Sequence, residues 1–176
     1  MINFKKFLFT LICLICLNSN LLAENKVAYI DIDKILLNTE SGKSLFNQLN
    51  DLEKLEFQNL ENEQKKLKEE ENKILSSKNL LTQDEYIKKV NTFKKKIPIY
   101  QKKKKDTIDN LQKKRNAEVI RFLKMTNPLI ESIMEKNSID ILIEKKNIFI
   151  AKSNTDITSI VIEDINKNIK NFKIEN

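Results

Sequence analysis

Seven lysines fall within fourteen positions in FKKKIPIYQKKKKD, residues 93–106. Ammonium groups at this density can neutralise nucleic-acid phosphates, attract an acidic polypeptide, or simply keep one helix face solvated. Residues 80–128 extend the pattern with 14 basic and five acidic residues, a net charge of +9. The candidate binding residues of this segment are Lys88, Lys89, Lys94, Lys95, Lys96, Lys102, Lys103, Lys104, Lys105, Lys113, Lys114 and Arg115.

Residues for catalysis or cofactor binding are scarce. The chain has no histidine, its two cysteines are Cys13 and Cys16, and Gly42 is its only glycine. Transition-metal sites, nucleophile–base pairs and glycine-rich phosphate loops therefore lack the residues they require. Carboxylates are plentiful, but they sit among lysines at helical spacing, which is typical of a solvated face. The composition predicts a protein that is not an enzyme and binds no metal or cofactor.

The first 23 residues, MINFKKFLFTLICLICLNSNLLA, have the layout of a secretory signal peptide. Lys5 and Lys6 precede an apolar run over residues 7–17 that is short for a membrane span, and a small residue, Ala23, ends the segment. Such a segment would direct export of the protein, and its cleavage near Ala23 would discard both cysteines. The alternative is a lipidated cysteine, but each cysteine follows isoleucine rather than a small residue.

Hydrophobic periodicity places the lysines on one of two long helices. A heptad-like seam begins near residue 41, and SSKNLLT at residues 76–82 interrupts it. Thr82 and Glu85 fit a capping box, so a second helix should start at Gln83. The break is short, and we therefore expect an antiparallel helical hairpin arm over residues 43–128, with its tip near 76–82.

Two prolines interrupt the second helical pattern. Pro98 lacks a backbone N–H, and its ring crowds the carbonyl of Lys94, which costs roughly 3 kcal/mol in a straight helix. We therefore expect a kink between Lys94 and Pro98. Pro128 is expected to interrupt the helix where the arm meets the body.

Short elements at both ends predict a small body and an α+β, mainly α, fold. KVAYIDI at residues 26–32 is a strand signal, and a short helix follows within the first body part, residues 24–42. The second part, residues 129–176, should hold a helix, a strand hairpin over 138–152 and a C-terminal helix. The apolar face of that last helix comprises Ile157, Ile160, Val161, Ile165, Ile169 and Phe172.

This body is too small to be robust alone. It has 67 residues, no disulfide and open strand edges, and association through its strands would remove these weaknesses. We expect an oligomer, and the alternative is a marginally stable monomer. The residues predicted to form the oligomerisation strands are Val27, Tyr29, Ile30, Ile141, Ile143, Ile148 and Ile150.

Three passages resemble one protein family. VAYIDIDKILLNTESGKS at residues 27–44 is similar to the opening of the Skp or OmpH periplasmic chaperones, where a V-A-Y-V-D strand precedes an apolar helix and an E-S-x-G-K-like helix start. LTQDEY at 81–86 resembles the family's L-S-x-E-E-Y, and IDILIEKKNIFIAKSNTDIT at 139–158 resembles its D-L-V-L-D…V-L-Y-A…D-I-T passage. Pro98 departs from the family, and Asn137 with Ser138 stands where relatives often have glycine.

The resemblance implies a jellyfish-shaped, Skp-like homotrimer, in which strands of three chains build a small β-barrel and three arms surround a cavity. It also implies a periplasmic chaperone that holds unfolded outer-membrane proteins there without ATP. Lipopolysaccharide or an anionic membrane surface is a further candidate partner. Nucleic acid is not expected, because no base-stacking aromatic surface accompanies the lysines. The alternative function is a passive coiled-coil spacer or adaptor in a cell-envelope assembly.

Overall fold

The computed structural model describes residues 25–175, so the predicted signal peptide lies outside the described residues. In chain order the elements are β1 (Val27–Ile30), α1 (Ile32–Asn38), α2 (Glu40–Ser76), α3 (Gln83–Lys136), β2 (Ile141–Glu144) and α4 (Thr158–Asn168), with 3-10 turns at Lys145–Asn147 and Ser153–Thr155. The helices α2 and α3 pack against each other and form the arm, and the remaining elements form the body. The predicted fold class, a long antiparallel helical hairpin on a small strand-containing body, is confirmed.

The two arm helices have different lengths, 37 residues for α2 and 54 for α3. At 1.5 Å per residue they extend about 55 Å and about 80 Å. The additional length of α3 lies at its C-terminal end, where Phe122, Ile130 and Ile133 pack in the core. One helix therefore runs from the tip of the arm into the body.

Side-chain caps define the start of each arm helix. Thr39 Oγ1 accepts a hydrogen bond from the N–H of Gly42 at 3.1 Å, which caps α2. The predicted capping box at the tip is confirmed, because Thr82 Oγ1 accepts from the N–H of Glu85 at 3.4 Å and Glu85 Oε2 accepts from the N–H of Thr82 at 3.0 Å. These bonds satisfy backbone groups that the first turn of a helix leaves without partners.

Replacement of Thr82 by alanine should loosen the first turn of α3. An N-cap loss of typical size corresponds to about fivefold faster amide hydrogen exchange, and we expect this over residues 83–90. Ser76→Ala is the control, since Ser76 Oγ only donates to the carbonyl of Asn72 within α2, at 2.9 Å. Equal exchange in the two variants would contradict a role for the cap.

Neither proline ends α3, which continues through Pro98 and Pro128. The expectation that Pro128 interrupts the helix is wrong, because the flanking Thr126 and Ile130 are held in the core. Near Pro98 the arm is held to α2, since Tyr100 Oη donates to the carbonyl of Leu60 at 3.3 Å. Such contacts offset part of the roughly 3 kcal/mol that an internal proline costs. A bend between Lys94 and Pro98 stays a prediction.

The sheet joins the two ends of the described chain. β1 and β2 pair in parallel, with Val27 opposite Ile141 and Tyr29 opposite Ile143. On its other side β1 meets the segment before α4, where the N–H of Ile157 donates to the carbonyl of Tyr29 at 3.0 Å. Both sides of β1 are therefore occupied, whereas β2 has one open edge within residues 25–175.

The predicted strand hairpin over residues 138–152 is wrong. Its first half is β2 and its turn is the 3-10 turn, but residues 148–151 form no strand. The reason is that a strand needs a neighbour to pair its backbone groups, and no other strand of the described chain lies beside this segment. Five of the predicted strand residues, Val27, Tyr29, Ile30, Ile141 and Ile143, lie in the sheet, whereas Ile148 and Ile150 do not.

The C-terminal helix is shorter than the predicted apolar face. α4 ends at Asn168, so Ile169 and Phe172 lie beyond it, and Phe172 is nevertheless buried. The residues after α4 pack against the arm instead of continuing the helix.

The turn between α3 and β2 contains the only left-handed residue of the described chain, Ser138, with a φ of 52°. This conformation costs a residue with a Cβ roughly 1–2 kcal/mol. The departure from the family's glycine therefore falls on Ser138, while Asn137 has a φ of −104°. The backbone turns here because the N–H of Ile139 donates to the carbonyl of Met134 at 2.8 Å.

The core lies where the body meets the root of the arm. Its buried apolar side chains are Ala28, Ile30, Ile35, Leu36, Leu45, Leu49, Phe122, Ile130, Ile133, Ile139, Ile157, Val161, Ile165 and Phe172. Further out the packing becomes thin, because α2 buries only Leu60 and Ile74 beyond Leu49, and α3 buries nothing between residues 83 and 117. The predicted sparse seam of the arm agrees with this distribution.

Candidate functional site

All twelve predicted basic residues lie on α3, between Lys88 and Arg115. From the first to the last of them, these residues cover about 40 Å along the helix. Ten are exposed, and Lys114 and Arg115 near the root are half-buried. The structure therefore brings the basic residues together along one arm helix.

Five of these residues form ion pairs. Three pairs link α3 to α2, and they are Lys96–Glu70 at 2.7 Å, Lys103–Glu63 at 2.5 Å and Arg115–Glu53 at 3.6 Å. Two lie within α3, and they are Lys102–Asp106 at 2.6 Å and Lys114–Glu118 at 3.2 Å. The hydrogen bond to Asp106 raises the pKa of Lys102, and the hydrogen bond to Glu63 raises the pKa of Lys103. Lys96, Lys103 and Arg115 therefore link the two arm helices as well as charging the arm.

The other seven form no ion pair with any residue of the described chain. We call them the free lysines, and they are Lys88, Lys89, Lys94, Lys95, Lys104, Lys105 and Lys113. Lys88 and Lys95 are seven residues apart and share one side of the helix. That side also carries Ile99, which is 65% exposed. Uncompensated ammonium groups and apolar side chains are thus interleaved on the arm.

Exposed apolar residues of the arm were not singled out by the sequence analysis as binding candidates. They are Leu55, Phe57, Leu75, Leu80, Ile87, Ile99, Ile108, Ile120 and Met125, and Leu80 at the tip is 85% exposed. The spacing in the sequence could have identified several of them as exposed, because Leu55, Phe57 and Ile99 lie between the seam positions that face the partner helix. We call this set the exposed arm apolar residues.

The second candidate surface is the open edge of β2 with the segment that follows it. Phe149 is completely exposed and Ile150 is 84% exposed. The turn before them is fixed to the body, because Lys145 Nζ contacts Asp31 Oδ2 at 2.9 Å. This contact raises the pKa of Lys145 and lowers that of Asp31. The apolar pair therefore projects from an anchored turn.

The described residues contain no candidate metal centre, since no cluster of three or more histidine, cysteine, aspartate or glutamate side chains could hold an ion. Glu118 is the one buried acidic side chain among them. Burial alone would raise the pKa of Glu118, but hydrogen bonds from Arg121, from the N–H of Glu175 and from Lys114 outweigh it and hold that pKa below its usual range. In residues 25–175, no helix combines the length and apolar character needed to cross a bilayer.

The geometry defines a structural class, a protein in which a charged helical hairpin stands on a small body with an open strand edge among the described residues. The family model "Outer membrane protein (OmpH-like)" matches residues 26–165, and this chain belongs to the OmpH-like family. The resemblance to the Skp or OmpH chaperones that rests on three short passages is confirmed.

A solved structure with a similar fold is known. It is the crystal structure of a candidate outer membrane chaperone (OmpH-like) from Caulobacter crescentus CB15, with a TM-score of 0.78 and 17% sequence identity. The match covers 86% of this chain and 89% of that chain. No curated protein sequence is significantly similar to this chain.

Proposed function

We propose that this protein is a periplasmic, ATP-independent holdase that captures unfolded outer-membrane proteins and prevents their aggregation in transit. The observation that carries the proposal is the interleaving of free lysines with exposed apolar residues on a projecting helical arm. Membership of the OmpH-like family supports it, as does the shared fold with a candidate outer membrane chaperone. Export through a signal peptide at residues 1–23 and the absence of catalysis are parts of the same proposal.

Capture follows from the charge of α3. The free lysines create a positive potential along the arm, and unfolded outer-membrane barrels are commonly acidic, so long-range attraction would raise the rate of encounter. This attraction falls as salt shortens the Debye length to about 8 Å at physiological ionic strength. The exposed arm apolar residues then supply short-range contact. Dispersed weak contacts retain a client and still permit release.

Assembly completes the proposal. A homotrimer would cover the open edge of β2 and the exposed Phe149 and Ile150, because copies of the body would supply the missing strand neighbours. Three arms would then surround a shared cavity. The residues proposed to take part remain Val27, Tyr29, Ile30, Ile141, Ile143, Ile148 and Ile150. Lipopolysaccharide or an anionic membrane surface is a second anionic partner for the same lysines.

The direct test is suppression of aggregation. An outer-membrane barrel is diluted from urea, and light scattering is followed with and without the mature protein at one trimer equivalent. We expect scattering to be suppressed. Undiminished scattering would instead favour the passive spacer or adaptor.

Removal of free lysines should slow capture. The arm variant carries Lys94→Gln, Lys95→Gln, Lys104→Gln and Lys105→Gln, and at low salt we expect it to bind an acidic unfolded barrel about tenfold more slowly, because the steering field is reduced. Stopped-flow fluorescence at several salt concentrations measures the rate, and its salt dependence should become flatter.

The matched control removes the same charge from positions outside residues 88–115 of α3. Its changes are Lys43→Gln, Lys136→Gln, Lys152→Gln and Lys167→Gln, at exposed residues without an ion pair to any residue of the described chain. We expect its rate to stay within about twofold of the unmodified protein, because its lysines lie in the body or at the root of the arm and not among residues 88–115. Equal rates for the arm variant and the unmodified protein at low salt would overturn the electrostatic part of the proposal.

A further inference from the structure

The residues after α4 lie across the root of the arm. Residues 169–175, which we call the C-terminal strap, contact α2 on one side and α3 on the other, and they lie beyond the 26–165 range of the family model. On the α2 side, Gln48 Nε2 donates to the carbonyl of Phe172 at 2.5 Å and Gln48 Oε1 accepts from the N–H of Ile174 at 3.3 Å. Ser44 Oγ also donates to the carbonyl of Phe172, at 3.1 Å.

On the α3 side, three charged residues hold the backbone of the strap. Arg121 donates to the carbonyl of Lys173, and Lys114 donates to the carbonyl of Glu175. The N–H of Glu175 donates to Glu118 Oε1 at 3.0 Å. Glu118 also pairs with Arg121 at 2.7 Å and with Lys114 at 3.2 Å, so the strap is part of one polar network centred on the buried Glu118.

Phe172 anchors the strap between the two helices. Its side chain is 3% exposed, and its ring meets Phe122 edge to face with the centroids 5.7 Å apart. The guanidinium of Arg121 lies 4.1 Å from the centroid of the Phe172 ring. The ring therefore fills the space at the arm root that the two helices do not fill themselves.

We propose that the C-terminal strap sets the stiffness of the arm by fixing the separation of α2 and α3 at their root. The reason lies in the thin packing further out, where α3 buries no side chain between residues 83 and 117. The covalent turn at the tip joins the helices at one end, and the strap joins them at the other. Release of the strap would expose Phe122. The arm beyond Leu49 would then be held by the two buried side chains Leu60 and Ile74, by half-exposed seam residues and by surface ion pairs, which contribute little individually. This inference concerns the motion of the free protein and goes beyond the holdase function.

Amide hydrogen exchange of the full mature chain, without any client, tests the proposal. Phe172→Ala removes the anchor, and we expect exchange in residues 44–52 and 114–124 to become about 100-fold faster, as the loss of a buried aromatic ring predicts. Arg121→Gln keeps the ring and removes polar contacts, and we expect about tenfold faster exchange in the same segments. Lys173→Ala is the control, since the strap uses only its carbonyl, and exchange should change less than about twofold.

Two results would overturn the proposal that the strap sets the stiffness of the arm. One is unchanged root exchange in Phe172→Ala. The other is an equal acceleration in the sheet and at the root in both variants, because the strap would then only support the fold as a whole. If the variants show the expected exchange pattern but the protein fails to suppress barrel aggregation, the holdase function is refuted and the proposal about the strap still stands.

Discussion

A mature protein that carries Phe149→Asp and Ile150→Asp is expected to sediment as single subunits at micromolar concentration, whereas the unmodified protein is expected to sediment as the proposed trimer. Both side chains project from the turn after β2 and stand almost fully in solvent in the single chain. Burial of a phenylalanine or isoleucine side chain contributes about 1.5–3 kcal/mol, and each copy would supply both. The substitutions remove that contribution and place charges in the interface, where unpaired charge is costly. Sedimentation velocity or mass photometry measures the result.

Leu80→Asp with Ile87→Asp is the matched control. It also exchanges two exposed apolar side chains for carboxylates, but at the tip of the arm. We expect this variant to remain trimeric. A trimer in the Phe149 and Ile150 variant would place the interface elsewhere, and a monomer in the unmodified protein would remove the enclosed cavity from the proposed function.

Replacement of Gly42 by alanine should destabilise the body severely. A Cβ at this position would stand 2.1 Å from the carbonyl oxygen of Leu36 and 2.6 Å from Thr39 Oγ1. Neither atom belongs to a flexible side-chain end, so α1 and α2 would have to separate, and the cap from Thr39 would be lost. Overpacking of this kind costs about 3 kcal/mol or more in free energy of unfolding. Urea unfolding at fixed protein concentration measures the change.

Ser41→Ala is the control next to it. Ser41 is fully buried, and its Oγ has no hydrogen-bond partner among the described residues. Loss of an unpaired buried hydroxyl costs little and can stabilise a protein, so we expect the free energy of unfolding to stay equal or rise by up to about 1 kcal/mol. Gly42→Ala with the stability of the unmodified protein would contradict the close approach of the two helices.

Local rules are enough to predict the arm from the sequence. The heptad-like seam, the break after Ser76 and the capping box of Thr82 and Glu85 each depend on residues within a few turns of one another. For that reason the helical hairpin and the position of its tip follow from short windows. The same windows could not predict the course of α3 through Pro128, because distant core contacts outweigh the local cost of the proline.

The errors in the body arise from partners that are distant in the chain. Residues 148–151 have the composition of a strand, but strand formation depends on a neighbour that the single chain does not provide. Similarly, Ile169 and Phe172 continue the helical spacing of α4, yet Gln48 donates to the carbonyl of Phe172 and Arg121 donates to the carbonyl of Lys173, and these contacts hold the chain beyond Asn168 in another conformation. Hydrophobic periodicity alone could therefore predict neither the absence of a strand at residues 148–151 nor the C-terminal strap.

The passage of α3 from tip to core gives the arm a mechanical property. A rod of about 80 Å that is embedded at one end acts as a lever, so a sideways load at the tip produces a torque on the embedded turns. Those turns carry Ile130 and Ile133, which pack in the same core as Ile30 of β1. In the proposed trimer, a client that pulls strongly on a tip would therefore load the sheet, and the number of arms that it contacts would decide whether the torques add or cancel.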